Sequence, residues 1–314
     1  MNFQAIVPTA GIGKRLRPLT LTTPKVMLEV AGKPVIGHIM DRLLLTKPSA
    51  VCVVLAPHDR QTRPYLRRNY RCRFRFVIQH RPLGLAHAVY QARDYFRGEP
   101  ALILLGDTIL DFDLSRIVSG PDALGVKRVK DPRRFGVVEL KHGLISRIVE
   151  KPKRPRSNLA LVGLYYLRDS ERLFRALAEL LRKGRKLNGE FPFTDTLQQL
   201  ANSGTKIRPV KIDHWLDCGT PAAFLETNRY LLRQRSHFRP RQGCRIVPPV
   251  FIADSARVEN SIIGPNVALG EGVQVRDAII RDAIVNRNVV LERAVIEKAI
   301  LGVGRHGQLL SVPV

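Results

Sequence analysis

The segment Pro8-Thr9-Ala10-Gly11-Ile12-Gly13-Lys14-Arg15-Leu16-Arg17-Pro18-Leu19-Thr20 ends an apolar run in a glycine turn and follows it with cations. Gly11 and Gly13 let backbone N–H groups approach phosphate oxygens closely, because no Cβ stands in the way. Arg15 lies just beyond, and Thr23-Pro24-Lys25 supplies a further cation. Two cations flanking a phosphate-sized hollow suit transfer at phosphorus, where positioning and charge neutralisation supply most of the catalysis. The two common nucleotide-binding readings fail. There is no third glycine of a dinucleotide fingerprint, and no Gly-Lys-Ser/Thr ending of a P-loop.

Other segments carry chemistry of the same kind, in a fixed order along the chain. They are Gln79-His80-Arg81-Pro82-Leu83-Gly84-Leu85-Ala86-His87-Ala88-Val89, Leu104-Leu105-Gly106-Asp107, Phe135-Gly136-Val137-Val138-Glu139, Val149-Glu150-Lys151-Pro152, Ser157 to Tyr165, Gly189-Glu190 with Thr194-Asp195, and Trp215-Leu216-Asp217-Cys218-Gly219-Thr220. With the opening Gly-x-Gly-x-Arg-Leu-Arg-Pro-Leu-Thr and Thr-Pro-Lys, the set resembles the signature of the sugar-1-phosphate nucleotidylyltransferases. It is most similar to the long-type glucose-1-phosphate thymidylyltransferases, which carry a C-terminal hexapeptide-repeat domain.

That resemblance implies a reaction and a site. A nucleoside triphosphate, with dTTP or UTP favoured, and a sugar 1-phosphate, with glucose 1-phosphate favoured, would give a nucleotide-sugar and pyrophosphate. A sugar-phosphate oxygen would attack the α-phosphorus in line, with Mg²⁺ as cofactor. Arg15 and Lys25 would hold the triphosphate and the developing charge, in the loop of Gly11 and Gly13. Gln79 and Gly84 would contact the base. Gly136, Glu150 and Lys151 would bind the sugar phosphate, and Asp107 and Asp217 would share the metal. Two carboxylates from different strand ends can grip a hard cation that keeps several waters and bridges phosphate oxygens. An Asp after a strand also serves as a turn former or helix cap, and Lys151 also reads as one member of a solvated basic run to Arg156. The scheme needs no protein nucleophile, so His80 and His87 read as structural, and Trp215 as packing. Lys14 departs from the family pattern, which usually has Ser or Thr after the second glycine, and Leu216 stands where long-type enzymes tend to have Lys.

These residues must be positioned by alternating elements. Strand candidates at 3–8, 50–56, 74–79 and 101–105 alternate with helix candidates at 35–45, 62–69 and 84–96. The pattern argues for a doubly wound, mostly parallel, Rossmann-like α/β sheet with helices on its faces. Shorter strands at 123–128, 135–140, 144–149 and 159–167, then helices at 171–181 and 194–201, would build the second half of the site. Near residue 240 the period changes. Ile252, Val258, Ile263, Leu269, Val275, Ile280, Val285, Val290, Val295 and Ile300 recur every five or six positions with Gly, Asn or Asp between them. So short a repeat indicates a β-solenoid, and it resembles the hexapeptide-repeat left-handed β-helix, here of about five coils. The expected domains are a nucleotidylyltransferase domain at 1–238 and a β-helix domain at 239–314.

Composition sets outer limits. No apolar run among the 314 residues approaches the ~20 needed to span a bilayer, and no secretory leader is visible, so a cytoplasmic protein without membrane partners is expected. The four cysteines never form a Cys-x-x-Cys pair, which argues for reduced thiols rather than zinc or disulfides. A formal charge of +25 attracts polyanions. The basic runs, such as Lys127 to Arg134 and Lys151 to Arg156, have no interleaved aromatic platforms, which argues for solvated surface rather than a nucleic-acid footprint. Three rivals remain to be weighed: a non-catalytic regulatory or scaffold relative, a basic nucleic-acid-binding protein, and an acyltransferase working from the coils. The first should show damaged motifs, the second salt-sensitive binding. The third should carry a coil-borne histidine, and none lies between Leu269 and Gly304. The tail is therefore expected to serve assembly into a homo-oligomer.

Overall fold

The computed structural model describes residues 2–314; Met1, the first residue of the expected 1–238 domain, lies outside the described residues. The chain packs into two compact units, Met1–Gly11 with Ile39–Trp215, and Ile12–His38 with Leu216–Val314.

In the first unit nine strands form one sheet: β1 Gln4–Pro8, β2 Ala50–Leu55, β3 Phe74–Ile78, β4 Ala101–Leu104, β5 Ala123–Arg128, β6 Gly136–Lys141, β7 Leu144–Glu150, β8 Leu159–Leu167 and β9 Arg208–Lys211. β4, β1, β2 and β3 are parallel neighbours in that order. β1 and β2 are short, continuous apolar runs, and β2 is buried throughout, as strands covered on both faces require. The chain runs from β1 to β2 to β3 on one side, then returns to place β4 on the other side of β1. That reversal opens a crevice at the carboxyl ends of β1 and β4, where open α/β sheets bind ligands.

The rest of the sheet is largely antiparallel. β8 runs against β4, β5 and β6, and β6 against β7. The β6–β7 hairpin closes through His142 and Gly143, with φ of 51° and 77°. Paired positive values of this kind make a type I′ turn, whose twist matches that of the strands. The expected mostly parallel order therefore holds on the β1 side and becomes mixed on the β8 side, since a two-residue connection can join only antiparallel neighbours.

Helices cover the sheet through apolar stripes. Ser170–Lys183 buries Leu173, Ala176, Leu177 and Leu180, the spacing of one helical face. Asp169 accepts from the Arg172 N–H at 2.9 Å and Gly184 turns left-handed at φ 70°, so caps at both ends extend the helix beyond its expected limits of 171 and 181. The helix expected at 84–96 is instead Leu85–Tyr90 followed by a 3₁₀ turn, Arg93–Tyr95. The Ala92 N–H bonds to the Val89 carbonyl, three residues back, which tightens the coil. Four arginines lie over aromatic rings, Arg63 and Arg67 on Phe76, Arg75 on Tyr95 and Arg93 on Tyr90. Those faces are occupied by the chain's own cations.

In the second unit the coils of a short left-handed parallel β-helix stack into three faces. One is Arg245–Ile246, Ile262–Ile263, Ile279–Arg281 and Val295–Glu297; the next holds Val250–Ile252, Val267–Leu269, Ile284–Val285 and Ala299–Val303; the third is Arg257–Glu259, Gln274–Arg276 and Val290–Glu292. With three strands on its third face, the stack is shorter than the five or so coils expected. Ile252 stacks on Leu269 and Val258 on Val275, and the next step is one residue shorter, Leu269 on Val285 and Val275 on Leu291. The shortening turns two members of the expected repeat outward. Val290 and Val295 are 62% and 78% exposed, while Leu291 and Ile296 face inward, because a one-residue slip turns a strand's side chains to its other face. Leu309–Pro313 pairs antiparallel with Ala299–Val303 and covers the edge of that face.

The coils also hold the loop segment of their own unit. Asn228, fully buried on the helix Pro221–Gln234, accepts from the Ala31 N–H at 2.9 Å and donates to the Asn266 carbonyl at 3.1 Å. Arg229 pairs with Asp282, and buried Glu29 with Arg287. Among the described residues no helix is long and apolar enough to cross a membrane.

Candidate active site

In the first unit, hydrogen bonds fix two strand ends side by side. The Thr9 N–H and Oγ1 both bond to the Val54 carbonyl at 2.8 Å, and the Gly106 N–H donates to the Pro8 carbonyl at 3.1 Å. The first strand end leads into Gly11, whose side-chain direction opens on empty space. The second leads into Asp107, which is half-buried. The Tyr165 hydroxyl is held well above its ordinary ionisation range, first by burial and then by the negative charges of Glu150 and Asp107. One buried side chain thus feels both a carboxylate from the β4 end and one from the β7 end.

Gly136, Glu150 and Lys151 come together at one end of the β6–β7 hairpin. Gly136 and Glu150 are cross-strand partners in β6 and β7. Glu150 Oε2 accepts from Thr194 Oγ1 at 3.2 Å, and its Oε1 lies 3.4 Å from Lys151 Nζ. A Cβ on residue 136 would stand 2.8 Å from Thr194 Cγ2 and 3.4 Å from Glu150 Oε2, so glycine makes room for that arrangement. Lys151 has φ 43°, with its N–H bonded to the Phe135 carbonyl at 3.0 Å. A left-handed lysine persists only where its surroundings determine it; the side chain itself is half-exposed beside Glu150.

Gln79 and Gly84 are also neighbours. Gln79 follows β3 and is 5% exposed, and its Nε2 lies 3.1 Å from the Gly84 carbonyl oxygen. Gly84 has φ 94°, and a Cβ there would meet the backbone N and O of Phe191 at 2.9 Å. Trp215 packs edge-on against Phe135, with ring centres 4.9 Å apart.

In the second unit the cationic loop folds back on itself. Gly13 has φ 65°, and a Cβ there would lie 2.9 Å from Thr20 Cγ2 and 3.1 Å from Lys25 Cβ. Thr20 Oγ1 donates to the Gly13 carbonyl at 2.9 Å. The turn sets Lys25 beside Gly13, while Arg15 sits exposed in the 3₁₀ turn Lys14–Leu16. Asp217 ends the strand His214–Asp217, and its Oδ1 accepts from the Gly219 N–H at 2.8 Å. It is not the cap of the helix that follows. Thr220 fills that place, accepting from the Ala223 N–H at 3.3 Å.

The donor chemistry of Asp107 and Asp217 fits Mg²⁺. Both are half-buried carboxylates at strand ends, hard oxygen donors of the kind that hold this ion while water and phosphate complete its shell. Among the described residues no three His, Cys, Asp or Glu side chains form a metal-sized group.

Residues 4–234 match the family model described as nucleotidyl transferase. The chain belongs to the nucleotidyl transferase family. A glucose-1-phosphate thymidylyltransferase of Streptomyces griseus is 31% identical, over 99% of this chain and 94% of that protein. A bifunctional protein GlmU of Methanococcus vannielii is also 31% identical, over 86% of this chain, which spans 62% of that relative's length. Among solved structures, UDP-glucose pyrophosphorylase complexed with UDP-glucose aligns with a TM-score of 0.66 at 25% identity, over 75% of this chain and 100% of that one. The protein is thus an enzyme, a nucleotidyltransferase, and its resemblance to the sugar-1-phosphate nucleotidylyltransferases extends along the chain.

Three side chains of this nucleotidyltransferase site escaped the sequence reading. Tyr165 looks like any aromatic in an apolar strand, and Thr194 lies in a motif that gave it no role. His87, read as structural, bonds to Gln79. No sequence spacing announces a bond across a loop.

Proposed function

We propose that the enzyme converts dTTP or UTP and a sugar 1-phosphate, glucose 1-phosphate above others, into a nucleotide-sugar and pyrophosphate by in-line displacement. The observation that carries the reading is the cluster at Glu150, whose carboxylate accepts from Thr194 Oγ1 at 3.2 Å, lies 3.4 Å from Lys151 Nζ and stands across the strands from Gly136, an acceptor, a cation and an open backbone in one place. Gln79 and Gly84 take the base. Glu150 accepts from sugar hydroxyls, Lys151 neutralises the sugar phosphate, and Gly136 lets the ring approach. Arg15 and Lys25, with the backbone of Gly11 and Gly13, hold the triphosphate and the charge that develops as pyrophosphate leaves. Asp107 and Asp217 are the proposed Mg²⁺ ligands; the ion, when bound, offsets the repulsion between two phosphate groups. The reaction is a single displacement, with no covalent enzyme intermediate.

The family match at 4–234 supports a nucleotidylyltransferase domain at 1–238 and an appended hexapeptide-repeat domain at 239–314. Exposed Val290 and Val295 give the coils apolar surface for the proposed homo-oligomer, and a cytoplasmic location completes the reading. The test is pyrophosphate release from a panel of nucleoside triphosphates with glucose 1-phosphate and Mg²⁺. Release that requires both substrates is expected. No release with any pair would return the chain to the non-catalytic relatives.

A further inference from the structure

We propose that His87 fixes the side-chain amide of Gln79 so that it meets the nucleobase as a hydrogen-bond acceptor, which makes His87 a positioning residue for base selection. The inference rests on the reading of Gln79 as a base contact and deepens it.

A primary amide can be turned two ways, and Gly84 decides between them. A peptide carbonyl only accepts, so the Gln79 atom 3.1 Å from the Gly84 oxygen is the N–H donor Nε2. The second hydrogen on Nε2 points to His87 Nδ1 at 3.0 Å. That contact needs a bare Nδ1, hence a neutral imidazole with its hydrogen on Nε2. Burial lowers the His87 pKa below its ordinary value, and the Arg81 charge lowers it further, so the neutral ring is the form held at neutral pH. On the far side of the ring, Gln91 Nε2 donates to the His87 carbonyl at 3.1 Å; its 3.3 Å approach to His87 Nε2 brings two N–H groups together and is not a hydrogen bond in this tautomer.

Both Gln79 donors are therefore committed inside the protein. Its Oε1 accepts from no other group among the described residues, and the side chain, 5% exposed, has little room to turn. A fixed acceptor against the pairing edge of a base demands a donor there. Thymine and uracil offer N3–H and guanine N1–H. Cytosine N3 and adenine N1 are acceptors, which Oε1 would repel and leave unpaired. His87 acts only through Gln79; it enforces the choice by occupying the donor that would otherwise let the amide flip.

The test compares wild type with His87→Leu and His87→Gln, measuring nucleotide binding by equilibrium titration with UTP, dTTP, CTP and ATP, and turnover with glucose 1-phosphate. Wild type should favour UTP or dTTP over CTP by about 10- to 100-fold. Leu cannot accept, so the preference should fall roughly 10-fold while the KM for the sugar 1-phosphate holds. Gln offers an acceptor oxygen and should restore most of the preference. Independently of turnover, nitrogen-resolved NMR should find His87 with a bare Nδ1 and a protonated Nε2 at neutral pH. An unchanged preference in His87→Leu, a wild type that favours CTP or ATP, or a protonated Nδ1 would overturn the assignment. Selective binding of uracil or thymine nucleotides without pyrophosphate release would overturn the proposed reaction and still support the role of His87.

Discussion

Thr194, on the helix Phe193–Asn202, donates from Oγ1 to Oε2 of Glu150 at 3.2 Å, where Glu150 ends a strand of the main sheet. The bond ties a helix start to the carboxylate whose other oxygen faces Lys151. A carboxylate held from two sides is a preorganised acceptor for sugar hydroxyls. Thr194→Val keeps the shape and removes the donor, so the KM for the sugar 1-phosphate should rise about 5- to 10-fold, the worth of one hydrogen bond, with the nucleotide KM unchanged. Gly136→Ala presses a methyl group on both Thr194 and Glu150 and should raise that KM further, with a loss of about 1 to 3 kcal/mol in stability. Steady-state kinetics with each substrate varied in turn, alongside thermal melting, separates the two effects.

Asp107→Asn preserves volume and removes the charge that reaches Tyr165. If Asp107 is the ligand proposed above, its loss removes several kcal/mol of transition-state stabilisation, so kcat should fall about 10²- to 10⁴-fold while the melting temperature stays close to wild type. Activity retained at saturating Mg²⁺ would place the metal on other residues.

Legibility in the sequence followed the range of the forces involved. β2 and β4 were readable because strands buried on both faces are unbroken apolar runs, and the glycine loop because glycine and cation spacing is local. The strands β6 and β7 were also readable, to within a residue at each end; their pairing as a hairpin was not, since His142-Gly143 is a less conspicuous type I′ turn than Asn-Gly. Val290 and Val295 keep the five-residue beat of the repeat, but a shortened coil shifts the inward positions by one, to Leu291 and Ile296. At the proposed site, the neighbours Glu150, Lys151 and Gly136 were each singled out by a motif. The helpers Thr194, Tyr165 and His87 did not, because each acts through a tertiary contact with a residue far away or across a loop.

Glu29 sets a pH dependence in the second unit. It is 4% exposed and paired with Arg287. Burial raises its pKa, outweighing the lowering by the Arg287 hydrogen bond and charge, as expected when the guanidinium partner is itself half-exposed. The folded state then holds the proton more tightly than the unfolded state. Its contribution to stability is full below the ordinary value of 4.5 and is lost as pH rises through the raised one. The stability of wild type relative to Glu29→Gln, from urea melts at a series of pH values, should therefore decline from acid toward neutral pH. A difference that grows with pH would mean that Arg287 dominates.

Thiol reactivity should divide the four free cysteines. Burial pushes the Cys52 thiol up to about 12, against a lowering by the Arg75 charge, and Cys218 is fully buried. The thiolate is the reactive form. A thiol reagent at mildly alkaline pH should modify half-buried Cys72 and Cys244 first, and reach Cys52 and Cys218 only on unfolding. Peptide mapping of the labelled native protein checks the order.

The central claim is that a sugar-phosphate oxygen takes the α-phosphoryl group and its nucleoside from the triphosphate. Its most direct test supplies α-³²P-labelled UTP or dTTP, glucose 1-phosphate and Mg²⁺, and follows the label by chromatography together with pyrophosphate. The account predicts label in a nucleotide-sugar, formed one for one with pyrophosphate. Label recovered as free nucleoside monophosphate or left in the triphosphate, with no sugar attached, would contradict it.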